Sequence, residues 1–152
     1  MKPQKSLYTR ALDILARRET SRAELKRKLA PYAESEAELE TLLNGLVESR
    51  LQSDDRFAES YIHSASRRHG RLRLQQALQA KGVSEDTARS FLPDRNSEIQ
   101  TAVAVLRKKF KAPAADLKEK QKQARFLAYR GFDTDTIQTA LKNGWNGGEE
   151  WE

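Results

Sequence analysis

The sequence predicts an all-α protein of three tandem three-helix, helix-turn-helix-like repeats forming an elongated, curved short solenoid. Three observations predict it. Chemically similar residues recur every 49 positions, as in Tyr8/Phe57/Leu106, Leu12/Tyr61/Phe110, Ala16/Ala65/Ala114, Leu29/Leu78/Leu127, Ser35/Ser84/Asp133 and Leu43/Leu92/Leu141. A fixed period of this size marks units that bury their apolar faces by stacking on one another. Within each unit the apolar spacing is helical, and no alternating segment finds a strand partner. The repeats are expected at 1–53, 54–95 and 96–145, with 146–152 as an acidic, disordered tail.

In the first unit, Leu7, Ala11, Leu12 and Leu15 make one helical stripe. Ser21 and Glu24 form a capping box that opens a helix carrying Leu25 and Leu29, which Pro31 ends. Ser35 and Glu38 open a third helix with Leu39, Leu42, Leu43 and Leu46. The second unit repeats the plan. Ser53 or Asp54 caps a helix bearing Phe57, Tyr61 and Ala65; the next runs from Leu74 to Lys81 and stops at Gly82; Ser84 caps a short one ending before Pro93. In the third, Ser97 begins the helix of Val103, Leu106 and Phe110, residues 111–115 loop, and Gly131 and Asp133 mark the second turn. Asn143-Gly144 and Asn146-Gly147-Gly148 could open a hairpin, but the acidic end Glu149-Glu150-Trp151-Glu152 has no partner strand and is expected to fray.

A chain of 152 residues can bury a core without staples. The absence of cysteine excludes disulfides, thiolate metal sites and thiol nucleophiles, and suits a reducing compartment. No apolar run approaches the length of a bilayer span, so a cytoplasmic location is expected. No Gly-rich nucleotide-binding loop is present, and His63 and His69 are spaced for no shared metal, so neither cofactor nor metal is expected and no catalysis. Asp54-Asp55 and Asp133-Thr134-Asp135 are read as helix-start acids rather than metal ligands. Tyr8, Phe57, Tyr61 and Phe110 could stack nucleobases, but their recurrence makes them core residues.

Charge singles out the rest. The net charge is +6, and residues 55–92 carry 7 basic against 4 acidic side chains. Four arginines and a histidine crowd into Arg67–Arg73 with no acid among them, and residues 107–130 hold nine Lys and Arg against two acids. Cations that displace condensed counterions bind polyanions, so these runs are candidate phosphate contacts.

The blocks Ala11–Arg18, Ser21–Leu29, Asp54–Ala58, Gly70–Val83 and Arg125–Phe132, in that order, resemble the RecX family of bacterial recombination regulators. The resemblance covers residues 8 to about 142 and implies a modulator of RecA with three three-helix repeats. It implies as partners the RecA nucleoprotein filament and single-stranded DNA, with double-stranded DNA as an alternative, no membrane, and a monomer. It also implies that the basic surface faces DNA and RecA and that RecA ATPase, strand exchange and coprotease activities are lowered. Carried over by motif, the DNA- and RecA-binding candidates are Arg17, Arg18, Arg22, Lys26 and Lys28 in the first unit, and Arg67, Arg68, Arg71 and Arg73 in the second. Arg125 and Arg130 follow in the third, joined by Lys108, Lys109, Lys118 and Lys122 from the basic run. Gln75 and Ala77 are uncharged where many relatives carry charges, and the ending from Trp145 matches no family pattern.

Overall fold

A computed structural model describes residues 5–145, so the expected tail at 146–152 and its Asn146-Gly147-Gly148 hairpin lie outside the described residues. Among the described residues there are nine α-helices and no strand: α1 Leu7–Arg17, α2 Arg22–Leu29, α3 Glu36–Glu48, α4 Asp54–Ala65, α5 Arg71–Ala80, α6 Glu85–Phe91, α7 Arg95–Lys109, α8 Leu117–Tyr129 and α9 Thr134–Asn143. None is long and apolar enough to cross a membrane. The chain is therefore all-α, with three helices to each expected repeat.

Side-chain caps set most helix starts. Ser6, Ser21, Ser35, Asp94, Asp116 and Asp133 each accept a hydrogen bond from the N–H three residues on, which satisfies one of the free donors of the first turn. Ser84 does the same for α6. One expectation changes here and one alternative is decided. Helix α7 begins ahead of Ser97, because Asp94 captures the Ser97 N–H. Ser53, not Asp54, caps α4, receiving the Arg56 N–H at 3.1 Å. Asp54 instead accepts the Arg22 N–H at 2.9 Å and so satisfies the first turn of α2, a helix 32 residues away. Pro31 sits in a 3-10 turn, Ala30–Tyr32, that closes α2.

Packing gathers the chain into two compact units. One holds the residues up to Tyr61 together with Leu78–Phe91; the other holds Ile62–Ala77 together with the residues from Leu92 onward. The first has a core of Ala11, Leu25, Leu29, Leu39, Leu43 and Leu46, on which Leu7, Leu12 and Leu15 pack. The second is centred on Ile99, Ala102, Val103, Leu106, Leu127, Phe132, Ile137 and Ala140, with Phe110, Phe126 and Trp145 against it.

One apolar repeat phase is buried throughout, and the others hold buried and half-buried members, with Tyr8 and Ala16 exposed. Leu29, Leu78 and Leu127 are each fully buried. Phe57 is buried and stacks on Tyr61 at 6.1 Å, and Phe110 meets Phe126 edge-on at 5.5 Å. Tyr8 departs from the core reading and is 48 % exposed. It lies to one side of the stripe that turns Leu7, Ala11, Ile14 and Leu15 towards the first core.

Candidate nucleic-acid interface

Each unit contains the same joint, built from residues at the same phase of the 49-residue period. In the first, the Ser21 hydroxyl at the start of α2 donates to the Lys81 carbonyl at the end of α5, at 2.7 Å. In the second, Gly70, 49 positions on from Ser21, donates its backbone N–H to the carbonyl of Arg130, 49 on from Lys81, at 2.8 Å. The following glycines, Gly82 and Gly131, both take positive φ, 78° and 94°, which ends α5 and α8 and lets the backbones close. A Cβ on Gly70 would overlap the Gly131 carbonyl, and one on Gly131 would overlap the side chain of Arg73. The Leu72 N–H donates to the Gly131 carbonyl at 3.0 Å and completes the second joint.

The charges at the two joints differ. In the first, Glu24 is buried, with Lys81 at 2.8 Å and Arg18 at 3.5 Å. Burial by itself would raise its pKa, but the hydrogen bond and charge of Lys81, with Arg18 and Lys28 behind it, bring it below the usual 4.5. In the second joint the residues at these phases are Arg67 for Arg18, Arg73 for Glu24 and Arg130 for Lys81. The carboxylate has been replaced by a third cation. Among the described residues, Arg67, Arg68, Arg73 and Arg130 enter no ion pair.

The side chains around this second joint are held in place. Arg73 donates to the Tyr129 carbonyl at 3.4 Å, with its guanidinium 5.6 Å from the Tyr129 ring. The Arg130 guanidinium lies 5.3 Å from the Phe126 ring. His69, half-buried in the same turn, is pushed below its ordinary 6.5, first by burial and then by the charges of Arg73, Arg68 and Arg130. The joint thus draws two basic runs, remote in sequence, into one field of positive charge within the second unit. Such a field attracts polyanions.

Comparison with known proteins agrees with the repeat plan. Family profiles described as the second and third three-helix domains of RecX match residues 53–92 and 96–141. A protein named Regulatory protein RecX from Neisseria meningitidis is 68 % identical over 152 residues, covering 100 % of this chain and 98 % of its own. The chain belongs to the RecX family.

A second relative of that name, from Chromobacterium violaceum, is 45 % identical over 140 residues, covering 92 % of this chain and 91 % of its own. In fold, the chain is similar to a crystal structure of RecX from Lactobacillus salivarius, with a TM-score of 0.82 at 23 % identity, covering 90 % of this chain and 93 % of that one. Membership of RecX makes this a regulatory protein, and the named relatives are regulatory proteins over nearly their whole length.

Of the cations that the RecX resemblance singles out, the second unit brings together Arg67, Arg68, Arg73 and Arg130 through the joint. Lys118, Lys122 and Arg125 lie on α8 of the same unit, all three exposed. Arg71 turns away, donating to the Pro93 carbonyl at 3.3 Å and lending its charge to the buried Glu98. Its counterpart one repeat earlier, Arg22, is likewise engaged, at 2.9 Å from Glu40 and 2.8 Å from Asn44. Lys26 also sits 2.6 Å from Glu40, which raises its pKa above 10.5. Arg17 and Lys28 are exposed on the first unit, and Lys108 and Lys109 are exposed at the end of α7. Tyr129 was not among the sequence candidates, yet it is 78 % exposed beside Arg73. Its signal was its spacing behind Lys118, Lys122 and Arg125.

Proposed function

We propose that this chain is a non-catalytic regulator of RecA. It binds the RecA–single-stranded DNA filament through the basic surface of its second unit and lowers ATPase, strand exchange and coprotease activities in recombination, repair and the SOS response. It acts in the cytoplasm as a monomer, without a cofactor, and reads as three repeats at 1–53, 54–95 and 96–145. The observation that carries the reading is the replacement of the Arg18–Glu24–Lys81 triad by Arg67, Arg73 and Arg130 at the corresponding joint. Three cations with no carboxylate among them favour a phosphate backbone as the missing counter-charge. Membership of the RecX family supports RecA as the protein partner.

The test is RecA ATP hydrolysis at fixed filament concentration, titrated first with this protein and then with free DNA. A filament binder whose separate weak contacts sum through effective concentration inhibits at far fewer molecules than RecA protomers and keeps doing so in excess DNA. Inhibition that tracks the fraction of DNA covered, and vanishes with modest excess DNA, would leave only a sequence-nonspecific nucleic-acid-binding helical module.

A further inference from the structure

We infer that Tyr129 is a base-stacking platform, which gives the basic surface of the second unit a preference for single-stranded over duplex nucleic acid. The inference rests on the polyanion-binding reading above and adds the part of the ligand that cations cannot read. Lys118, Lys122, Arg125 and Tyr129 are all exposed on α8. At about 100° per residue the four fall within roughly 60° of the helix circumference, over a rise of roughly 16 Å. One ridge of α8 is therefore three cations followed by an aromatic ring.

The fold has no use of its own for that ring. At the same phase the earlier repeats place Ala80 and Pro31, so an aromatic is not needed where the second helix of a repeat ends. Burial does not hold it either, since Tyr129 is 78 % exposed, more than any other large hydrophobic side chain among the described residues. The Arg73 guanidinium stands 5.6 Å from the ring and ties back to the Tyr129 carbonyl, so the ring is steadied on a rigid helix end beside positive charge. Phosphates held along the ridge would bring an unstacked base to the ring. In a duplex the bases are already stacked on one another and cannot reach it.

The full-length protein, as wild type, Tyr129→Ala and Tyr129→Phe, is titrated by fluorescence anisotropy into a labelled oligothymidylate, the same strand with abasic sites, and a duplex, across a series of salt concentrations. Tyr129→Ala is expected to weaken oligothymidylate binding by roughly 5- to 150-fold, the equivalent of about 1–3 kcal/mol for one stacked base. The salt slope and duplex affinity should hold, and Tyr129→Phe should bind as wild type. The wild type should lose affinity for the abasic strand, while Tyr129→Ala should not distinguish the two strands. Equal oligothymidylate affinity of wild type and Tyr129→Ala, or an equal loss on base-bearing and abasic strands, would overturn the stacking role while leaving the cationic surface standing. Failure of the wild type to bind any strand at low salt would overturn both.

Discussion

Two buried glutamates titrate in opposite directions, and the reason is who stands beside them. Glu24 has Lys81 and Arg18, and its stability contribution is present above pH 4.5 and lost as pH falls through its lowered pKa. Glu98 has no salt bridge among the described residues. Its Oε1 accepts a long hydrogen bond from Thr136, at 3.4 Å. Burial first, and then the charge of Asp133, raise its pKa above 4.5 against the pull of Arg71. The folded state therefore holds this proton more tightly than the unfolded chain, so stability falls as pH rises through the interval above 4.5. Glu98→Gln removes the buried charge and should stabilise the protein at pH 7 but not at pH 4, as read from urea midpoints. A variant equally stabilised at both values would show that Glu98 does not titrate in this way. Sequence reading could not find this group, since helix α7 presents Glu98 among polar neighbours and only packing reveals it as buried.

At the level of elements, the joint between helix ends explains both order and charge. Gly82 and Gly131 were legible as helix stops, and their common phase was legible too. That Gly70 and Arg130 meet through main-chain groups was not, because an N–H···O=C contact has no side-chain signature. The same holds for Asp54: an acid at a helix start reads as its own cap, yet it serves α2. The joint also makes a trade testable. Arg73→Glu would restore in the second unit the charge pattern of Arg18, Glu24 and Lys81, with Arg67 and Arg130 as partners. Stability should rise by about 0.5–1 kcal/mol. The log affinity against log salt slope for single-stranded DNA should flatten by roughly 0.7 for each phosphate that the variant no longer neutralises. A stabilised variant with an undiminished slope would remove the joint from the interface.

For the molecule as a whole, the unit of sequence and the unit of packing are different things. The 49-residue period places Leu29, Leu78 and Leu127 at one phase, and all three are fully buried. Packing, however, assigns Leu29 and Leu78 to the first compact unit and Leu127 to the second. Each Leu→Ala substitution should cost about 2–5 kcal/mol. In hydrogen exchange, Leu29→Ala and Leu78→Ala should both loosen amides of α1–α3, whereas Leu127→Ala should loosen α7–α9. Loosening of α7–α9 by Leu78→Ala would contradict that assignment. The period, the helices and the basic runs were readable because each leaves a pattern in side-chain type. Tyr8 shows the limit of that reading, since it shares a phase with Phe57 and Leu106 but stays in water.

The joint in the second unit also fixes when the basic surface can exist. The Gly70 N–H finds its acceptor on Arg130, far later in the chain. At a synthesis rate of roughly 5–20 residues per second, the arginines around Gly70 leave the ribosome about 3–12 seconds before the segment that orders them. During that interval the nascent chain carries the cations but not the platform, surrounded by ribosomal RNA. The surface proposed to bind DNA is complete only after residues 117–131 have been made.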